Sequence, residues 1–203
     1  MRVVEKKSDG LLQCFSDLCV YNSRMKQETD LLIAQLRRGD RSACQRLLSD
    51  YGPAVFRQVL RIVERQEEAE EVYQDVFVKA IGAIGDYDPG RSSLSTWLCQ
   101  IAYHESLNFV RGRRPAIVYM DDRPADFGNT ADEEPTDEQA TERLEQALAQ
   151  LPPHEQAIVS MFYYDDMSLA DIAFVTGSIP STVGSQLSRI RKKLYRIIKT
   201  MQP

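Results

Sequence analysis

The sequence predicts an all-α fold: two small helical domains joined by an acidic flexible linker, the second containing a helix-turn-helix. Three observations predict it. Apolar residues recur at three- and four-residue spacing in nearly every segment, with no strand-like alternation of convincing length. Glycines, prolines and short polar residues fall between those segments, where helices start and stop. Charge is segregated along the chain: from Asp121 to Glu145 ten acids stand against two arginines, while from Ile172 to Pro203 there is no acid against six basic residues. A basic end beyond an acidic connector suggests a nucleic-acid footprint held apart from a segment that does not bind.

Bulk composition sets the outer limits. The chain has 203 residues and a net charge of −5, with 43% apolar and 27% charged residues, ordinary values for a globular protein of one or two domains. No apolar run approaches the roughly 20 residues that cross a bilayer, and MRVVEKKSDGLLQCFSDLCVYNSR lacks the apolar centre of a secretory signal. A cytoplasmic protein with no membrane insertion is expected. The cysteines Cys14, Cys19, Cys44 and Cys99 include no C-x-x-C pair. With only His104 and His154 beside them, metal-ligand spacing is absent and no cofactor or metal is expected.

The elements follow in order. Residues 1–25 read as a disordered N-terminal extension, and Met25 is an alternative start. TDLLIAQLRRGD predicts a helix capped by Thr29 or Asp30 and closed at Gly39. Asp40 caps the next, with Ala43, Leu47 and Leu48 at helical spacing. Gly52-Pro53 predicts a break, after which Val55, Phe56, Val59, Leu60 and Val63 resume the stripe. In EEAEEVYQDVFVKAIGAI, the residues Ala69, Val72, Tyr73, Val76, Phe77, Ala80 and Ile84 line one face, and Glu67, Glu68, Glu70, Glu71 and Asp75 crowd the rest. After the turn GDYDPGRSS, STWLCQIAYHESLNFVRGRRP continues as a long helix ended by Pro115. Residues 26–115 thus form one helical domain. Residues 116–137, with prolines, a glycine and many acids, form the linker. Four more helices over 138–203 form the second domain. There Ser168 caps a short helix, Thr176-Gly177-Ser178 makes a turn and a longer helix starts near Ile179-Pro180, which is the helix-turn-helix pattern.

Two segments carry chemistry suited to nucleic acid. In the last helix Val183, Leu187, Ile190 and Leu194 make a buried seam, and Ser181, Thr182, Ser185, Gln186, Ser188, Arg189, Arg191 and Lys192 supply the polar face. Short hydroxyl and amide groups at a helix start reach base edges in a major groove, and basic groups one or two turns on meet phosphates. The alternative is an amphipathic helix with a solvated basic face. In residues 95–114, Trp97 offers a stacking platform worth about 1–3 kcal/mol per unpaired base. His104, Glu105, Ser106 and Asn108 offer base-edge contacts, and Arg111, Arg113 and Arg114 offer phosphate contacts. Equally, Trp97 and Tyr103 are readable as core aromatics, and the arginines as partners of the helix C-terminal dipole. A third segment, the acidic helix, is either a solvated face or a docking face for a basic partner.

AEEVYQDVFVKAI, LSTWLCQIAYHESLNFVRGRR, an acidic linker and LPPHEQAIVSMFYYDDMSLADIAFVTGSIPSTVGSQLSRIRKKL, in that order, resemble the extracytoplasmic-function (ECF) sigma factors of bacterial RNA polymerase. The resemblance covers roughly residues 28–115 and 138–200. It implies a non-enzymatic specificity subunit that binds core RNA polymerase, recognises the promoter −35 and −10 elements and promotes melting. It implies that Glu70, Glu71, Gln74, Asp75 and Phe77 dock on the clamp helices of the largest subunit, with a further contact to the flap of the second-largest. Trp97, Asn108 and the arginines would hold the −10 strand, with His104, Glu105 and Ser106 as loop positions capturing a flipped base. The helix from Pro180 would read the −35 duplex, and an anti-sigma partner is expected.

The sequence also departs from the pattern. His104 stands where members often have Asn, Ser181-Thr182-Val183-Gly184-Ser185-Gln186 stands for G-T-V-x-S-R, and MFYYDD lacks a basic residue often found there. Weak −35 binding by the isolated C-terminal domain is therefore expected. Two rival readings are a helix-turn-helix regulator that works without polymerase, and a thiol or metal enzyme built on Cys99 and His104, whose five-residue separation puts them on different helix faces.

Overall fold

A computed structural model describes residue 24 and residues 26–113 and 137–201. They form eight α-helices, and no strand occurs among the described residues. The helices are α1 (26–37), α2 (Arg41–Val63), α3 (Gln66–Gly82), α4 (Leu94–Arg113), α5 (Asp137–Ala149), α6 (Pro153–Tyr163), α7 (Leu169–Thr176) and α8 (Pro180–Thr200), with a single 3-10 turn at Ile84–Asp86.

The start and stop chemistry behaves as the residues require. Gly39 takes φ +75°, and the Asp40 carboxylate accepts the Ser42 N–H at 2.8 Å to cap α2. Ser168 accepts the Asp171 N–H at 3.1 Å to cap α7, and Gly177 at φ +68° ends it. Pro180 occupies the first turn of α8, where its missing N–H costs nothing. Two boundaries differ from expectation. The first helix is already helical at residue 26, ahead of Thr29 and Asp30. Gly52-Pro53 does not break α2, which runs through both. An interior proline costs about 3 kcal/mol. Against that, the continuous helix keeps Ala43, Leu47, Gly52, Val55, Val59 and Ile62 on one buried stripe. A break would turn half of that stripe away from the core.

The first core lies among α1 to α4, with Leu32, Leu47, Val59, Val76, Phe77 and Leu98 nearly inaccessible. The second is built by α5 to α8 from Leu151, Ile158, Met161, Ile172, Val183 and Leu187, and it also includes Ile62, Tyr103 and Leu107 from α2 and α4. The two helical units therefore pack on each other, α4 against α7 and α2 against α6. The expected linker lies outside the described residues, apart from Asp137, which opens α5. The expected extension lies outside them apart from residue 24.

Candidate nucleic-acid interface

The turn before α4 is held from several sides. Arg37 on α1 donates to the carbonyls of Ile84 and Tyr87 at 3.3 and 2.8 Å. The Tyr87 hydroxyl donates to Ser92 O at 3.0 Å, and Asp88 accepts the Gly90 N–H at 2.8 Å. Ser93 Oγ accepts the Thr96 N–H at 3.0 Å, satisfying a first-turn amide of α4. Trp97 then packs on Tyr87 with ring centroids 5.3 Å apart, half-buried against the first core. Beside it lies a cleft lined by Asp86, Asp88, Arg91, Ser92, Trp97, Gln100 and Phe174. A concave site with two aromatic side chains, Trp97 and Phe174, and mixed donors and acceptors suits an unpaired base. The sequence reading named this turn but assigned no site to it. Its signal was GDYDPGRSS, whose Asp, Gly and Ser residues build a fixed turn directly ahead of a tryptophan helix.

Along α4, Trp97, Ile101, His104, Asn108 and Arg111 recur at four- and three-residue spacing and so share one face, its last three side-chain positions exposed. The structure brings these expected residues together and takes others away. His104, Glu105 and Ser106 form no loop, because α4 is continuous from Leu94 to Arg113. Ser106 is 0% exposed, so it faces the interior rather than a base. Glu105 is tied to α3, its carboxylate accepting from Lys79 at 2.5 Å. Arg113 pairs with Glu68 and lies over the Phe109 ring at 4.4 Å. Arg114 lies outside the described residues.

On α3 the exposed positions Glu71, Gln74, Asp75 and Val78 lie at i, i+3, i+4 and i+7, with Glu70 alongside accepting from Gln66 at 3.2 Å. Phe77, expected on this docking face, is 3% exposed and belongs to the first core. The apolar residue on the outer face is instead Val78, 71% exposed. Its signal was its absence from the apolar stripe of the same helix.

On α8 the exposed face carries Ser181, Thr182, Ser185, Ser188, Arg189 and Lys192, one stripe by helical spacing. Gln186 does not join it, since its Oε1 is buried without a hydrogen-bond partner. Arg191 is exposed but donates to the Tyr163 hydroxyl at 2.7 Å, which ties it to α6. Ile179, the residue before α8, is an exposed apolar side chain that the sequence reading did not single out.

Cys99 and His104 make no nucleophilic pair. Burial pushes the Cys99 thiol up to about 12, aided by Asp165 and Asp171, so it stays protonated near neutral pH, while His104 is exposed. No cluster of three or more His, Cys, Asp or Glu that could hold a metal occurs among the described residues.

The chain matches the Sigma-70 region 2 family model over residues 47–115 and the Sigma-70, region 4 family model over residues 141–194. It is 30% identical over 192 residues to the RNA polymerase sigma-H factor of Pseudomonas aeruginosa, covering 88% of this chain and 97% of that one. The chain belongs to the ECF-type sigma factors. Another member, the ECF RNA polymerase sigma factor SigW of Bacillus subtilis, is 23% identical, with 83% of this chain and 96% of that one covered. The fold is that of the sigma factor RpoE from Bartonella quintana, solved with the anti-sigma factor NepR (TM-score 0.56, 23% identity, 78% of this chain and 98% of that one). As an ECF sigma factor the chain carries regions 2 and 4, the parts that bind RNA polymerase and recognise promoters, and it is an initiation factor rather than a catalyst. Among the described residues no helix is long and apolar enough to cross a membrane.

Proposed function

We propose that this sigma factor divides its work among three helix faces, with residues 26–115 and 138–203 as the two working units. Glu70, Glu71, Gln74, Asp75 and Val78 of α3 dock core RNA polymerase at its clamp helices. Trp97, His104, Asn108 and Arg111 of α4 hold the −10 element as a single strand, a base turning into the cleft beside Trp97. Ser181, Thr182, Ser185, Ser188, Arg189 and Lys192 of α8 meet the −35 duplex. The protein has no catalytic residue of its own, works in the cytoplasm beside the nucleoid and is restrained by an anti-sigma partner, as RpoE is seen with NepR.

The observation that carries this reading is the aromatic-lined cleft at the head of the exposed His104, Asn108 and Arg111 stripe. A regulator that only read duplex DNA would have no use for it. The test is capture of the full chain by core polymerase of its own organism, followed by transcription from a promoter library. Productive initiation supports the reading, and duplex binding without polymerase association would replace it with the plain helix-turn-helix regulator. On a promoter so found, Trp97→Ala and Asn108→Ala lower permanganate reactivity of unpaired thymines about tenfold or more while initial complex formation changes less, a loss of one to two stacking or edge contacts. Equal losses in both steps would put these residues elsewhere.

A further inference from the structure

The outer surface of α8 is short-chained at its start and basic further on. Purine edges in a major groove are read by long side chains, guanine by Arg or Lys and adenine by Asn or Gln. From Ile179 to Ser188 the chain has no Arg, Lys or Asn, and a single Gln. That residue, Gln186, turns its Oε1 inward, where it is buried without a hydrogen-bond partner among the described residues. Ser185 donates its hydroxyl to Ser181 O at 2.9 Å, within its own helix. What the first two turns offer a base pair is therefore short hydroxyls and apolar surface, and the first long donor is Arg189.

Gly184 belongs to that apolar surface. It lies inside a 21-residue helix, where glycine is destabilising relative to alanine. Its backbone is ordinary helix, and among the described residues a Cβ there would meet only Leu169 Cδ1, at 3.9 Å, a normal contact. Neither conformation nor packing requires the missing side chain. Its absence leaves a notch beside Leu169, which opens α7 and is 36% exposed. On α8 the notch is one turn from both Ser181 and Ser188, at the edge of the exposed stripe.

The one apolar group that a base pair shows in the major groove is the thymine C5 methyl. We infer that α8 selects one T·A pair of the −35 duplex by its thymine methyl, seated in the notch that Gly184 leaves beside Leu169. This rests on the assignment of α8 to the −35 element. The methyl stands on the pyrimidine side of the groove, nearest its own strand's backbone, and the first helix of a helix-turn-helix crosses the backbone. A notch shared by α7 and α8 is placed for a group at that edge. Seating one methyl changes an equilibrium constant about fourfold. Selection at the start of α8 is thus shallow, and Arg189 and Lys192 supply affinity through phosphates.

The test uses the full chain assembled with core polymerase of its own organism, on a −35 duplex taken from the promoter library. Each thymine of the element, on either strand, is replaced in turn by deoxyuridine, which keeps the pairing and removes only the methyl. Binding should fall about fourfold at one thymine and change less than about twofold at the others. At that position 5-methylcytosine should bind about fourfold better than cytosine. Leu169→Ser removes the apolar wall and Gly184→Val fills the notch, so in each variant the deoxyuridine effect should vanish while the loss caused by Arg189→Ala persists. Far-UV dichroism checks that both variants remain helical. An element in which no thymine methyl matters, or a methyl effect that survives either substitution, overturns the notch. If scrambling the −35 element and Arg189→Ala both leave binding unchanged, the assignment of α8 to the −35 duplex falls, and the notch with it.

Discussion

Gly52 shows how much a single residue is asked to do. A Cβ there would sit 2.5 Å from the Tyr73 hydroxyl oxygen, inside any permitted contact, while the next ring atom is 3.6 Å away. Gly52→Ala should therefore destabilise the protein by about 1–3 kcal/mol through overpacking. Removing the hydroxyl first reverses the sign. In a Tyr73→Phe chain the same change meets only ordinary contacts, and the helix-interior gain of alanine over glycine, about 0.5–1 kcal/mol, remains. Urea unfolding of the four chains measures the coupling, and additive effects would mean that the hydroxyl is not the obstacle. His154 makes a second prediction. Burial lowers its pKa from 6.5; Glu155 opposes, and Lys193 and Arg111 reinforce the lowering. The native state thus resists the proton that the unfolded chain accepts. Stability is complete above about pH 6.5 and falls as the pH drops through it, with a slope that His154→Gln removes. A slope below pH 6.5 that survives this substitution would assign it to other groups. The sequence showed neither feature, because both depend on a residue from another helix.

Helices were the most legible level, since caps and periodicity are local. Asp40, Ser168, Gly39 and Gly177 took the roles their chemistry offers. Pro53 misled because its cost is local and the compensating stripe from Ala43 to Ile62 spans the whole of α2. Phe77 had been given two roles, core and docking, and a helix turns about 100° per residue, so one position separates it from exposed Val78. The serines, Arg189 and Lys192 of α8 were legible as a polar face; that Arg191 turns to Tyr163 was not. The difference is testable. Binding of the full chain with polymerase to a −35 duplex should lose about one unit of log K against log salt slope in Arg189→Ala, as one phosphate contact disappears. Arg191→Ala, whose guanidinium nitrogen is already engaged at 2.7 Å, should change the slope less. Equal changes would return Arg191 to the DNA face.

Across the molecule, the reading of two separate domains gives the parts correctly and leaves their packing open. Ile62, Tyr103 and Leu107 have the same apolar character as their neighbours in α2 and α4, and periodicity assigns a residue to a face without saying which partner covers it. Here they are buried by helices more than 40 residues further along the chain, since α6 to α8 begin at Pro153. Each such side chain returned to water costs about 1.5–3 kcal/mol, a large share of the marginal stability of a small domain. The two units should then unfold together. Trp97, the sole tryptophan, reports on α4 by fluorescence, and far-UV dichroism reports on all eight helices. In urea the two signals should trace one transition with one midpoint. Arg61→Glu withdraws the guanidinium that meets Asp165 at 3.2 Å and reverses the charge there, so the units lose their coupling and the dichroism curve should broaden or divide while the Trp97 curve stays single. Two transitions in the wild-type chain would mean that the shared burial of Ile62, Tyr103 and Leu107 is too weak to join the units. Coincident curves in Arg61→Glu would place the coupling in that apolar contact rather than in the arginine.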